Sequence, residues 1–346
     1  MFKKISIGLV AFHSEKYLIP ALESLTKQDY PDFEILIRDH DPKMSSYQFL
    51  LENRPDLLSQ VHFFKVEEEG LNHSQGHNFL IRQALGDYYL CASNDMYYEP
   101  DLLSKMVKTL ETENLDWVIP KLKYWDFDFF QKGDLELSKT DRLDSCGLRM
   151  YQNQHCIDLG QGEIDHGQYD KTKPWGGSGA LFMIQISALT EIAYFNRKKQ
   201  YFEYFDENLH YFNDVDLMYR LNWAAKKGGL ASLAIAYHDR LVKTEGKGNI
   251  WQKMWFSRNT KSLWARKNAY LGKLVLVFKN FSLSYSAKVI FKTWLYYKLV
   301  TVFLFLKETK VLSVYGVFSK IYSGTCDKRR NIKRILSPRE MEKKFY

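Results

Sequence analysis

Apolar and polar residues alternate from the first strand-like stretch. Ile5, Ile7, Leu9 and Ala11 are separated by Ser6, Gly8 and Val10, which predicts a mostly buried β-strand. Ser14 fits a helix N-cap, and Leu18, Ala21, Leu22 and Leu25 then recur at i, i+3, i+4 and i+7, one apolar helix face. After a turn at Tyr30-Pro31-Asp32, the run Phe33 to Ile37 predicts a second strand leading into Arg38-Asp39-His40-Asp41-Pro42. A helix over about Ser74 to Leu85 follows, then an apolar run from Tyr88 to Ala92 that closes at Ser93-Asn94-Asp95. Next come a helix from about Pro100 to Glu113 and a strand Trp117-Val118-Ile119. Strands alternating with helices predict a parallel sheet with right-handed crossovers. Ligands collect at the carboxyl ends of the strands in such folds, and Asp39 and Asp95 stand at two such ends.

From Lys121 to Lys173 the pattern becomes polar and aromatic, with many Asp and Gly, and predicts hairpins and loops. Trp175-Gly176-Gly177-Ser178-Gly179-Ala180 punctuates it, and Leu181 to Leu189 resumes an apolar element. Tyr204-Phe205-Asp206-Glu207 precedes Asn213-Asp214-Val215-Asp216, which opens a helical pattern. That helix is expected over Asp214 to Lys227, with Gly228-Gly229 as its stop, followed by a strand Leu230 to Tyr237 that delivers His238. Beyond Tyr270 the character changes. Residues 285 to 306 are rich in Phe, Trp, Tyr, Leu and Val, interrupted by Lys288, Lys292 and Lys298. The longest uncharged stretch there falls well short of the ~20 residues that span a bilayer. Aromatics interleaved with lysines suit a helix lying in a membrane interface; the alternative is an amphipathic helix packed on the body with its lysines in water.

Composition sharpens this. The 346 residues are 45% hydrophobic, ample for a large core. Cys91, Cys146, Cys156 and Cys326 have no metal or disulfide spacing and are expected to be reduced, which points to the cytoplasm. Met1-Phe2-Lys3-Lys4 runs straight into a strand, so no signal peptide is expected. The net charge of +8 is unevenly placed. From Arg266 onward, 18 Lys/Arg face 4 Asp/Glu, whereas the preceding residues carry −6. A basic tail on an acidic body predicts contact with an anionic membrane and no nucleic-acid partner, since a nucleic-acid binder would place its charge around its grooves.

The motifs, taken in order, resemble the inverting family 2 glycosyltransferases of the GT-A fold, particularly their bacterial rhamnosyltransferase-like branch. The likeness covers about residues 4 to 265, with a weaker echo in Tyr315-Gly316 to Gly324. It rests on Ile7 to Ser14 with Leu22 to Gln28, on Ile35 to Asp39, on Gly70 to Asn78, on Gly86 to Asp101, and on Phe205-Asp206-Glu207 through Arg220. It implies an α/β fold, a Rossmann-like mostly parallel sheet with helices on both faces, here with a C-terminal helical amphipathic extension. The expected division is a catalytic domain over 1–265 and a basic, aromatic-rich extension over 266–346.

By this resemblance Asp95 matches the last acid of a DxD metal motif whose first acid is Ser93 here. His238 matches a histidine that completes the metal or diphosphate site. Hard oxygen donors suit Mg²⁺ or Mn²⁺, and an imidazole favours Mn²⁺. Asp39 matches the acid that holds the base and ribose, with an Asx-turn through Asp41 as the bland reading. Asn72 and Asn78 lie in the loop that approaches the donor, where helix capping is the alternative; Asn94 and Arg258 are further donor-binding candidates. Asp214 matches the catalytic base, with Asn213 in place of the acid before it. Asp216 is expected to pair with Arg220 four residues on. The implied reaction moves a sugar, rhamnose in the branch, from a dTDP- or UDP-linked donor to a glycan or lipid-linked acceptor, in surface-glycan assembly on the inner membrane face. The alternative is a degenerate member that binds glycan or acts as a scaffold.

Overall fold

A computed structural model describes residues 2–66, 68–197, 199–240 and 261–346. Among the described residues the strands are β1 (Ile5–Ala11), β2 (Phe33–Asp39), β3 (His62–Phe64), β4 (Tyr88–Ala92), β5 (Met96–Tyr98), β6 (Trp117–Trp125), β7 (Lys139–Ser145), β8 (Leu148–Met150), β9 (Cys156–Asp158), β10 (Leu181–Gln185), β11 (Tyr194–Asn196), β12 (Tyr201–Glu203) and β13 (Gly228–His238). Nine of them form one sheet in the order β3-β2-β1-β4-β10-β6-β13-β5, with β7 paired to β6. Strands β1 to β4, apart from their neighbour β10, pair in parallel, and β6 and β13 run in the same sense. Only β10, β5 and β7 oppose them. This is a mostly parallel sheet, as the alternation of strands and helices predicts and as the family resemblance implies.

The first half matches the expected elements closely. The helix Glu15–Thr26 buries Leu18, Ala21, Leu22 and Leu25 completely, as an i, i+3, i+4, i+7 face should. Ser14 does precede this helix, but its hydroxyl caps nothing there; it accepts hydrogen bonds from Phe12 N–H and Asn94 Nδ2. The helices His73–Gln83 and Leu102–Thr112 lie where expected. Gly8 lets β1 pass Tyr89, whose hydroxyl sits 1.9 Å from where a Cβ would stand.

The second half settles one open element and departs in two places. The apolar run from Leu181 is a strand that turns at Gln185 into the helix Ile186–Ile192, and it enters the sheet antiparallel between β4 and β6. The helix expected to reach Lys227 spans Asn213–Trp223, and Ala225 takes the left-handed conformation (φ 56°) that ends it. Gly228 and Gly229 open β13 instead of stopping the helix, because the Trp117 ring occupies the space of a Gly228 Cβ at 1.9 Å.

The helices Leu263–Asn280, Ala287–Lys307, Val314–Arg330 and Pro338–Glu342 complete the chain. Leu276, Tyr285, Val289, Ile332, Met341 and Phe345 enter the same core as Trp175, Phe182, Tyr219 and Trp223. A buried charge cluster fastens them further. Lys279 bridges Asp206 and Asp216, the latter at 2.8 Å, and Lys328 lies 2.6 Å from both Glu203 and Asp206. Arg220 reaches Asp216 at 3.1 Å, the ion pair expected from their spacing, but inside the protein. Ala287–Lys307 has 21 residues and contains an 18-residue window of mean hydropathy 1.6, long and apolar enough to cross a membrane by length and composition. Phe291, Trp294, Leu299, Phe305 and Leu306 are exposed on it, while Val289, Thr293 and Leu304 face the body.

Candidate active site

The strand order brings the carboxyl ends of β4 and β13 together through the short strand β5, which pairs His238 with Met96. Asp95, in the turn after β4, accepts a hydrogen bond from Ser93 Oγ at 2.5 Å, and its other oxygen lies 3.3 Å from His238 Nε2. The Asp239 N–H donates to the Asp95 carbonyl at 3.0 Å, which locks the two segments together. His238 Nδ1 bonds Asp144 at 2.8 Å; Asp144 is fully buried on β7 and also lies 3.2 Å from Arg240. Arg240 in turn reaches Asp158 at 3.0 Å.

Burial alone would discharge the His238 imidazole, but the hydrogen bonds it donates to Asp144 and Asp95, and their charges, outweigh it and raise its pKa to about 10. Burial also pushes the Asp95 carboxyl up, and the His238 hydrogen bond and charge, with Ser93, more than reverse this. A carboxylate oxygen and an imidazole nitrogen thus converge. The imidazole's other nitrogen is held by a carboxylate, the arrangement that orients metal-bound histidines. One carboxylate oxygen and one imidazole nitrogen are donors of the kind that would hold a divalent cation such as Mn²⁺, which would supply positive charge there. Ser93 supplies a hydrogen bond where the expected motif has a charge.

Asp214 stands at the second position of its helix, after Phe212 in the left-handed region (φ 64°). Its two oxygens accept the N–H groups of Gly179 and Val215, each at 2.8 Å. A Cβ on residue 179 would lie 3.1 Å from the Asp214 Cβ, so the glycine is what lets this loop close over the carboxylate. Burial raises the Asp214 pKa, the two N–H groups offset part of that, and the charge of Asp158 adds to it. A half-buried carboxylate with a raised pKa is suited to take a proton from a hydroxyl. Asp216 faces the other side of the helix and belongs to the buried cluster, so the two acids do not share a role.

The donor-side residues are held firmly. Asp39 is buried at the end of β2, and its carboxylate accepts the N–H groups of Asp41, Ser46 and Tyr47. It thereby closes the Asx-turn and starts the helix Ser45–Asn53. Of a carboxylate's roughly four lone-pair positions those bonds leave one for an imide or ribose donor. Asn72 is the N-cap of His73–Gln83, in a capping box with Gln75, and donates to the Glu207 carbonyl. Asn78 donates to Phe205 O and Glu207 Oε1 and accepts the N–H groups of Tyr204 and Phe205. These two asparagines clamp the 204–207 segment that leads to Asp214. Asn94 ties its turn to Val10 O and Ser14. Arg258 lies outside the described residues.

The sequence reading missed Asp144 and Asp158, on β7 and β9, and Arg240, two residues past β13; none lies in a motif, and only the acidic character of the polar middle stretch hinted at the first two. It also missed a buried cluster under the Asp214 loop. His73 Nε2 lies 3.0 Å from His77 Nε2, and Cys91 Sγ lies 3.5 Å from the latter. Burial depresses both imidazole pKa values, that of His73 to about 4. The donor atoms all lie within 4.8 Å of one another, close enough to hold a cation. Within the protein they form a hydrogen-bonded chain: Asn213 Nδ2 meets His73 Nδ1 at 3.3 Å, and His77 Nδ1 meets the Tyr89 hydroxyl at 2.7 Å.

The model of the glycosyl transferase family 2 matches residues 6–183, just over half of the chain. Among curated proteins, the poly(ribitol-phosphate) β-N-acetylglucosaminyltransferase TarS of Staphylococcus aureus is 26% identical over 122 residues. That match takes in 35% of this chain and only 21% of TarS. Among solved structures, GalNAc-T7 with UDP, GalNAc and Mn²⁺ superposes with a TM-score of 0.55 at 12% identity, over 80% of this chain and 48% of that one. This likeness is one of fold. TarS 1–349 of S. aureus in complex with UDP-GlcNAc gives a TM-score of 0.49 at 16% identity, covering 84% of this chain and 78% of that one.

Proposed function

Because the chain belongs to glycosyl transferase family 2, we propose that it transfers a sugar from a nucleotide-diphosphate donor to an acceptor hydroxyl with inversion. The observation that carries this is the half-buried Asp214 carboxylate with its raised pKa, fixed under the Gly179 loop next to the strand ends. Asp214 takes the acceptor proton as the hydroxyl attacks the anomeric carbon from the face opposite the leaving diphosphate. A cation held at Asp95 and His238 would supply charge to that diphosphate. Asp144 keeps the His238 ring aimed at it, and Asp39 offers acceptor oxygens to the nucleoside. Asn72 and Asn78 keep the 204–207 segment, and with it Asp214, in place.

Residues 1–265 are proposed as the catalytic unit and 266–346 as the extension that holds the enzyme on the inner face of a membrane. The exposed aromatic face of Ala287–Lys307 and the lysines along it support that placement, as does the tail's basic charge. A lipid-linked or polymeric glycan in surface-glycan assembly is the acceptor that fits such a position. Rhamnose remains the first donor sugar to test, and the activity in the name of TarS places N-acetylglucosamine beside it.

Calorimetry with dTDP-, UDP- and GDP-sugars, each with Mn²⁺ and with EDTA, tests the reading. Metal-dependent binding of one nucleotide class supports it, with binding weakened in Asp95→Asn and transfer, not binding, lost in Asp214→Asn. A folded protein that binds none of them would instead be the scaffold.

A further inference from the structure

The histidine and cysteine cluster behind Asp214 takes no part in the proposed transfer, and its geometry is that of a ligand set. His73 and His77 stand four apart on one helix and so share a face, the spacing at which two imidazoles can meet one ion. The third group comes from β4, where alternate residues point the same way. From that side of the strand the Tyr89 hydroxyl meets His77 Nδ1 at 2.7 Å, and Cys91 Sγ lies 3.5 Å from His77 Nε2. Cys91 follows His77 by 14 residues, so only the packing of helix on strand brings the set together.

Distances decide what the set could hold. A tetrahedral zinc ion takes nitrogen at about 2.0–2.1 Å and sulfur at about 2.3 Å, which places its donors about 3.3–3.6 Å apart. Here the two Nε2 atoms are 3.0 Å apart, Sγ is 3.5 Å from the nearer of them, and all three donors lie within 4.8 Å of one another. A bare ion sits among such atoms in place of the protons between them, so it needs no open cavity to reach them. His77 and Cys91 are wholly buried, and His73, only partly buried, gives the way in. The Tyr89 hydroxyl holds the far nitrogen of His77, the kind of bond that aims a metal-bound imidazole. Burial keeps both imidazoles uncharged, the form in which they bind metals. A thiolate with two imidazoles favours zinc, or cobalt in its stead, over Mn²⁺ and Mg²⁺.

We propose that His73, His77 and Cys91 bind a zinc ion at a site separate from the Asp95 and His238 pair. Binding exchanges the hydrogen bond between the Nε2 atoms for two metal–nitrogen bonds. The bridging proton passes to the Nδ1 of its own ring, and the Cys91 thiol gives its proton to solvent. The inference goes beyond the proposed transfer and does not depend on it. The place suggests a bracing role. Cys91 Sγ lies 3.7 Å from the carbonyl of Gly179, whose N–H holds the Asp214 carboxylate, and His73 Nδ1 lies 3.3 Å from Asn213, the residue before Asp214.

The test is a cobalt(II) titration of the full chain after removal of bound metal. A thiolate on cobalt gives a charge-transfer band in the near ultraviolet, and a tetrahedral ion gives intense visible bands. Both are expected to saturate at one ion per chain and to vanish when zinc is added, while excess Mn²⁺ leaves them in place. Cys91→Ser should lose the charge-transfer band, and His73→Gln should weaken binding. Tyr89→Phe should keep the band and weaken binding about 10–100-fold. Asp95→Asn should leave the bands as they are. Zinc should raise the melting temperature of the parent and of Asp95→Asn, and not that of Cys91→Ser. No band at excess cobalt overturns the proposal, as does a band that survives Cys91→Ser, disappears in Asp95→Asn or yields to Mn²⁺. Should Cys91→Ser fail to fold, His73→Gln and Tyr89→Phe decide the question, and unchanged affinity in both overturns it. No outcome depends on catalysis, so a failed donor screen and a failed zinc site remain separate results.

Discussion

Lys279→Met tests whether the C-terminal helices hold the catalytic body together through charge. Three acids, Glu203, Asp206 and Asp216, meet three cations, Lys279, Lys328 and Arg220, in an almost waterless cluster. The side chains of Lys279, Asp206 and Asp216 have no exposed surface. Removing Lys279 leaves one uncompensated buried negative charge, and breaking a buried pair in this way costs about 3–5 kcal/mol. For a chain of this size that corresponds to a melting temperature lower by about 4–7 °C. The pH dependence gives a second readout. Burial raises the Asp206 pKa, but the charges and hydrogen bonds of Lys279 and Lys328 carry it well below the usual carboxylate range. A depressed carboxyl contributes stability that is complete above its unfolded pKa, about 4, and that is lost only as the pH falls below it. Without Lys279 the burial contribution grows in relative weight and Asp206 protonates more readily. The variant's deficit should therefore be largest near pH 7 and narrow towards pH 4. Asp206→Asn added to Lys279→Met restores neutrality and should recover part of the loss. Calorimetric melts of the parent, the single variant and the double variant at pH 7 and pH 4.5 decide it. A single variant that melts within a degree of the parent at pH 7, or a deficit independent of pH, would refute the reasoning.

Asp214→Asn should lower the transfer rate by about 10²–10⁴-fold while donor affinity and melting temperature hold. In the parent enzyme the base must be ionised, so kcat/KM should rise with pH through an apparent pKa above the ordinary aspartate value, and a pH–rate profile checks this. Asp144→Asn leaves both proposed cation-binding side chains in place but frees the His238 ring, and Mn²⁺ affinity by calorimetry should fall about 10–100-fold. Trp294→Ser with Phe305→Ser removes exposed apolar area from Ala287–Lys307. Co-sedimentation with phosphatidylglycerol vesicles should drop sharply, while activity on a soluble acceptor stays as it was.

The parts of the fold that could be read from the chain are those with a single dominant period. Leu18, Ala21, Leu22 and Leu25 are all fully buried because nothing competes with the core for that helix face. The run from Leu181 was ambiguous for a physical reason: a buried strand and a buried helix are both continuously apolar, and only the sheet partners Val118 and Leu90 of Met183 tell them apart. Gly228-Gly229 misled because a glycine after a helix usually marks its end. Here Ala225 takes the left-handed position, and Gly228 answers to the Trp117 ring 111 residues earlier in the chain. In the candidate site, Asp95, His238 and Asp214 were legible from strand ends and a helix start. Asp144, Asp158 and Arg240 were not, because their meaning comes from β7 and β9 folding back to the end of β13, a pairing that no local pattern encodes.

The placement of β10 sets an order of events during synthesis. Strands β1 to β4 can pair as they leave the ribosome, for each finds its partner among residues already made. The other half of the sheet cannot join them until residues 181–185 arrive to bridge β4 and β6. A nascent chain stopped before that point holds β4 with an unpaired edge, an invitation to a neighbouring chain or a chaperone. His238 emerges more than fifty residues later still, so Asp95 waits for its partner through most of translation. Truncation between β10 and β13 would keep most of the sheet but remove His238, and with it the pair proposed to hold a cation.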